Sequence, residues 1–189
     1  GMGDLILTCT GDLSRNRRVS GGPIDSQVGV IRVENADGQP IAVVANFAAH
    51  PTTVPEEDGL SISADYCGFF YTELETLLGG TGIAVFTNGA EGNQSCANPQ
   101  GAQGWAQTET VGKLLAQRVD EAARKLRCGE GTLRVASAVA PLPKTLADSF
   151  LPADTTLKTL EINDLLLTFF PGEPCVEIGQ EMRARALAR

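Results

Sequence analysis

Long apolar runs are missing. No stretch approaches the roughly eighteen residues that span a bilayer, and the opening GMGDLILTCTGD lacks the charged start and long apolar centre of a secretory leader. A soluble chain is expected. Positive charge is also scarce: 15 Lys and Arg stand against 23 Asp and Glu, for a formal net charge of -8. Lys and Arg form no stripe beyond short clusters such as Arg15, Arg17 and Arg18, so nucleic acid is not an expected partner. The five cysteines, Cys9, Cys67, Cys96, Cys128 and Cys175, form no CxxC pair and have no histidine at zinc-ribbon spacing. Free thiols follow, with a lean toward a reducing, cytoplasmic compartment. There is no GxSxG elbow, no GxxxxGK[ST] loop, no GxGxxG fingerprint and no internal repeat. Histidine occurs once, as His50 in NFAAHPTTV.

What is present reads as one α/β domain over residues 1–189, a length that buries a core without disulfides or metal. VGVIRVE and IAVVANFA are rich in β-branched residues and flank NADGQP, whose Asp37-Gly38 favours positive φ, so a hairpin is expected. In ADYCGFFYTELETLL the apolar residues recur at three and four, predicting an amphipathic helix closed by Gly79-Gly80. GIAVFTN reads as a buried strand that empties into the glycine-rich loop GAEGNQSCANPQGAQG. A second helix is expected from Thr108, stopped by Gly129 and Gly131, and then the strand TLRVASAVA. PLPKTLADSFLPAD is broken by proline and expected to be irregular. TLKTLEIND and LLLTFF predict a strand pair about Asn163-Asp164, and a last helix begins near Val176. Helices alternate with strands in the middle while hairpins flank them, which predicts a mixed β-sheet with packed helices.

Polar residues fall at strand ends. His50 follows the strand of residues 41–48, Ser95 the strand of 82–88 and Glu173 the strand of 165–170. Were those strands parallel neighbours, their ends would share one edge, where α/β sheets bind ligands. Each residue also has a plain structural reading: His50 as a satisfied core imidazole, Glu173 as a surface carboxylate in a Pro-Gly turn, Arg17 as a solvated cation. From residue type alone, His50 and Glu173 make a candidate pair for zinc or another divalent metal.

SRNRRVSGGPID, VGVIRVENADGQPIAVVANFAAHPTTV, SISADYCGFFYTELE, FTNGAEGNQS and FFPGEP occur in this order between Ser14 and Pro174. As a set they resemble the neutral/alkaline non-lysosomal ceramidase family. The resemblance implies a zinc-dependent amidohydrolase that cleaves the amide of ceramide, or of another N-acyl amine, to fatty acid and amine through a zinc-activated water. It assigns His50 and Glu173 as metal ligands, Arg17 to substrate binding or oxyanion stabilisation and Ser95 to the catalytic loop. The resemblance places another zinc histidine upstream of the NRR motif and a zinc tyrosine downstream of PGEP, and neither motif occurs here. With two donors assigned, weak zinc binding and negligible ceramide hydrolysis are expected of this chain by itself. The alternatives are a scaffold that kept the fold without the zinc, and a small-molecule-binding module built on the glycine-rich loop.

Overall fold

The structure is a computed structural model that describes residues 2–3, 6–8, 13–142 and 152–188. The expected irregular segment lies mostly outside the described residues, as does Cys9. In chain order the elements are β1 (Met2–Gly3), β2 (Ile6–Thr8), β3 (Ser14–Asn16), β4 (Gln27–Glu34), β5 (Pro40–Phe47), α1 (Asp65–Leu77), β6 (Ile83–Asn88), β7 (Gln94–Cys96), α2 (Trp105–Ala123), β8 (Cys128–Gly129), β9 (Leu133–Pro141), β10 (Asp154–Ile162), β11 (Leu165–Phe169) and α3 (Val176–Leu187). The fold is α/β, with mixed sheets and three α-helices among the described residues. Two compact units are present, one of residues 1–129 and 174–189 and the other of residues 130–173.

In the larger unit the main sheet runs β6-β5-β4-β1-β8, with β2 also paired to β4. The β4–β5 hairpin is antiparallel. Its turn is organised by the Asn35 side chain, whose Oδ1 accepts from the N–H groups of Asp37 and Gln39, and Gly38 supplies the φ of 77° that the turn needs. From β5 the chain crosses through α1 and returns as β6, parallel to β5. Alternation along the strands turns Val28 and Val30 of β4, and Val43, Ala45 and Phe47 of β5, into the core. There they meet Tyr66, Phe70 and Leu74 of α1 and Val111, Leu115 and Val119 of α2.

The two helices approach closely because position 112 carries no side chain. A Cβ on Gly112 would stand 2.4 Å from the Tyr66 carbonyl oxygen and 2.6 Å from the Phe69 Cβ. α2 begins at Trp105, ahead of the expected Thr108, and ends at Ala123, well before Gly129. The end is set by short-range bonds, Lys125 N–H to the Ala122 carbonyl and Leu126 N–H to the Ala123 carbonyl, which tighten the last turn.

α3 docks on the same unit through polar contacts. Gln180 Nε2 donates to the Ile24 carbonyl oxygen at 2.9 Å, and Arg183 Nη2 donates to Asp25 Oδ2 at 2.7 Å. The smaller unit is one antiparallel sheet, β11-β10-β9, whose β10–β11 turn places Asn163 at φ 50°. β11 therefore pairs within its own sheet and is no parallel neighbour of β5 and β6, contrary to the arrangement that would bring all three strand ends to one edge. The four described cysteines Cys67, Cys96, Cys128 and Cys175 are free thiols. Among the described residues no helix is long and apolar enough to cross a membrane.

Candidate metal centre

The site begins at the parallel ends of β5 and β6. Where β5 stops at Phe47, the chain continues through Ala48 and Ala49 to His50, and all three are buried. The Phe47 carbonyl accepts from Gly89 N–H at 3.0 Å, so the two strand ends stay joined as they leave the sheet. The glycine at 89 eases this close approach: a Cβ there would lie 3.0 Å from the Ala48 Cβ, tighter than most side chains pack. Tyr66 of α1 donates its hydroxyl to the Ala49 carbonyl at 2.7 Å and fixes the segment just before the histidine. Burial drives the Tyr66 pKa well above the ordinary tyrosine range, so this hydroxyl stays protonated and holds its bond.

His50 then forms a parallel bridge with Ser95 of β7, with His50 N–H donating to the Gln94 carbonyl at 3.2 Å. β7 pairs on its other side with β3, and the pairing continues as Arg17 N–H donates to the Asn93 carbonyl at 2.9 Å. This side-by-side pairing of three segments brings Arg17 to the imidazole. Arg17 Nη2 stands 2.8 Å from His50 Nε2 and donates to the Gly92 carbonyl at 3.1 Å. On the opposite side of the ring, His50 Nδ1 faces Glu91 Oε1 at 3.8 Å. His50 is 7% and Glu91 5% exposed, so both groups sit in a medium where charge interactions are strong.

Glu173, an exposed carboxylate, is the third candidate donor. One ligand atom each from His50, Glu91 and Glu173 falls within a mutual 4.8 Å. Two zinc bonds of about 2 Å meeting at a tetrahedral angle put ligand atoms roughly 3 to 4 Å apart, so a small contraction fits this set to one ion. One imidazole nitrogen and two carboxylates suit zinc and other first-row divalent metals. The segment that carries Glu173 is anchored next to the segment that carries Glu91, because Gly92 N–H donates to the Pro174 carbonyl at 2.9 Å. Asn93 reinforces the junction: its Oδ1 accepts from Val176 N–H at the start of α3, and its Nδ2 donates to Glu177 Oε2, both at 2.9 Å.

The sequence reading named His50, Glu173, Arg17 and Ser95, and missed Glu91. His50 stands against Arg17 through its ring and against Ser95 through the backbone bridge. Arg17 is an exposed residue whose guanidinium makes one hydrogen bond to the imidazole and one to the Gly92 carbonyl. In the glycine-rich loop the N–H groups of Gly89, Gly92 and Gln94 donate to the carbonyls of Phe47, Pro174 and Glu91. No local sequence signal singles out Glu91, because a glutamate in a glycine-rich loop is ordinarily a surface carboxylate.

The family described as "Bacterial GPD, NAD-dependent C-terminal" matches residues 1–22 only, a short piece of the 189. The structural comparisons span the whole chain. The structure of neutral ceramidase from Pseudomonas aeruginosa is similar with a TM-score of 0.74 at 17% identity, covering 99% of this chain and 42% of that one. A structure of ceramidase complexed with C2 is similar with a TM-score of 0.73 at 16% identity, covering 99% of this chain and 43% of that one. The fold is thus ceramidase-like. This chain spans less than half the length of either of those proteins.

Proposed function

We propose that this chain carries the metal centre of an amidohydrolase related to neutral ceramidase, acting on the amide of ceramide or another N-acyl amine. The observation that carries the reading is the meeting of His50, Glu91 and Glu173 within 4.8 Å, in a ceramidase-like fold and with the Arg17 guanidinium at the imidazole. A catalytic zinc site takes about three protein ligands and leaves a position open. Glu91 raises the donor count from the two legible in the sequence to three, so stoichiometric metal binding replaces weak binding as the expectation.

Zinc or a related divalent ion, when bound, would polarise the amide carbonyl and lower the pKa of water for attack. The protein's own residues supply the rest. His50 offers a neutral nitrogen held at a fixed place by the Gln94 carbonyl and the Ser95 bridge. Glu91 and Glu173 balance the cation's charge. Arg17 is the donor for negative charge that develops on the carbonyl oxygen as the amide is attacked. Ser95 lines the same corner from β7 and holds the histidine segment in register.

The test is hydrolysis of a fluorogenic ceramide analogue and of a short N-acyl amine by the chain with and without added zinc, alongside His50→Ala and Glu173→Gln. Hydrolysis that requires metal and disappears in both variants supports the proposal. Metal bound at these residues with neither amide cleaved would point instead to a scaffold that kept the fold and the ion.

A further inference from the structure

His50 Nε2 and Arg17 Nη2 are 2.8 Å apart. A guanidinium has only N–H donors and stays charged at any pH a folded protein meets. The imidazole nitrogen must therefore be the acceptor, which puts the lone pair of neutral His50 on Nε2 and the ring proton on Nδ1, the nitrogen that faces Glu91. A neutral imidazole has one such lone pair. A metal ion needs it too.

We propose that Arg17 and the metal compete for the single lone pair of His50, so that metal loading releases the guanidinium and makes it available to the substrate carbonyl. The inference rests on the metal-centre reading above. If the ion binds at Nε2, it takes the place of the Arg17 hydrogen directly. If it binds at Nδ1, between the ring and Glu91, the ring proton moves to Nε2 and meets the Arg17 N–H donor head-on. Arg17 leaves His50 in either case. It keeps its anchor on the Gly92 carbonyl, 3.1 Å away, and so stays at the site after release. The same contact holds His50 in one tautomer and one ring orientation. The arginine is thus a positioning residue before loading and an oxyanion donor after it.

The chain has one histidine, so every imidazole signal belongs to His50. Long-range 1H–15N spectra of the tag-free, 15N-histidine-labelled chain at neutral pH, free of metal, should show Nδ1 protonated and Nε2 bare. In Arg17→Ala that preference should be lost while far-UV circular dichroism stays unchanged. Zinc titrated by calorimetry should bind Arg17→Ala about tenfold more tightly than the unaltered chain, the scale of one charge-assisted hydrogen bond that no longer has to be broken. A protonated Nε2 in the free chain overturns the proposal. So does equal or weaker zinc binding by the variant, with zinc still bound by the unaltered chain, and in that case the metal-centre reading stands. Tighter binding with an unchanged tautomer would show charge repulsion alone and would also overturn it. If neither protein binds zinc, the metal-centre reading falls and takes this proposal with it.

Discussion

Gly92 donates its N–H to the carbonyl oxygen of Pro174 at 2.9 Å, which ties the residue after Glu91 to the residue after Glu173. Two carboxylates far apart in sequence are thus brought to one imidazole by a backbone bond that neither of them makes. This predicts that Glu91 contributes to metal affinity as strongly as Glu173. Glu91→Gln keeps the shape of the side chain and removes its charge, and it should weaken zinc binding by about 100-fold or more, beyond what outer-shell changes cost. Glu173→Gln should do the same. Calorimetric titration checks both, and an unchanged affinity in Glu91→Gln would remove it from the ligand set.

Helix packing supplies the second prediction. Gly112→Ala puts a Cβ at 2.4 Å from the Tyr66 carbonyl oxygen, 2.6 Å from the Phe69 Cβ and 2.9 Å from the Phe70 backbone nitrogen. Backbone cannot rotate aside, so α1 and α2 must separate. The expected loss is about 3 kcal/mol, at the upper end for overpacked cores, read as a fall in thermal midpoint of roughly 10 °C. Because Tyr66 holds the Ala49 carbonyl next to His50, the same variant should also weaken metal binding.

A third prediction concerns the carboxylate at the start of α1. Asp65 is buried at φ 53°, a conformation aspartate tolerates better than most residues, and it accepts from Thr53 N–H at 2.7 Å, the Thr53 hydroxyl at 2.6 Å, Val54 N–H at 2.9 Å and Tyr66 N–H at 2.7 Å. Asp65→Ala strands these donors and should cost about 3 kcal/mol or more in urea unfolding. Asp65→Asn keeps some of the acceptor capacity and should cost less. Equal stability of the alanine variant and the parent would show that the bonds are replaced by water without loss.

How far the sequence spoke for itself follows from the range of the forces involved. The β4–β5 hairpin was legible in Asp37-Gly38, and α1 in the spacing of Phe70 and Leu74, because turn chemistry and amphipathic periodicity are written within a few residues. The short β3–β7 ladder was not. Ser14 pairs with Cys96 across most of the larger unit, and three-residue strands carry too little alternation to be recognised. From residue type alone Arg17 read as a solvated cation, and only the family resemblance marked it for the site, because its hydrogen bonds exist only after that ladder forms. Glu91 stayed hidden for the same reason, since a glutamate in a glycine-rich loop becomes a candidate ligand only through the folding that sets it beside His50.

Alkaline pH tests the core. Burial pushes the Cys67 thiol from 9.0 up to about 12, with the Asp65 charge adding to it, and raises Cys96 and Tyr66 further. Each group is an acid held neutral by the fold and ionised more easily when unfolded. Its stabilisation is complete below its unfolded pKa and is lost as pH rises toward the folded one. For Cys67 the window is pH 9 to 12. Urea midpoints should fall through that range, with each group contributing roughly 1 kcal/mol per pH unit while it titrates. Cys67→Ala should flatten the slope, and an identical slope in that variant would contradict the assignment.

The most direct measurement is the zinc stoichiometry of the tag-free chain, by calorimetry after chelator treatment, with His50→Ala, Glu91→Gln and Glu173→Gln titrated beside it. One ion per chain, with affinity reduced in all three variants and their circular dichroism unchanged, is the result predicted by a centre built on His50, Glu91 and Glu173. A folded chain that takes up no zinc, or one whose affinity is indifferent to all three substitutions, would contradict it.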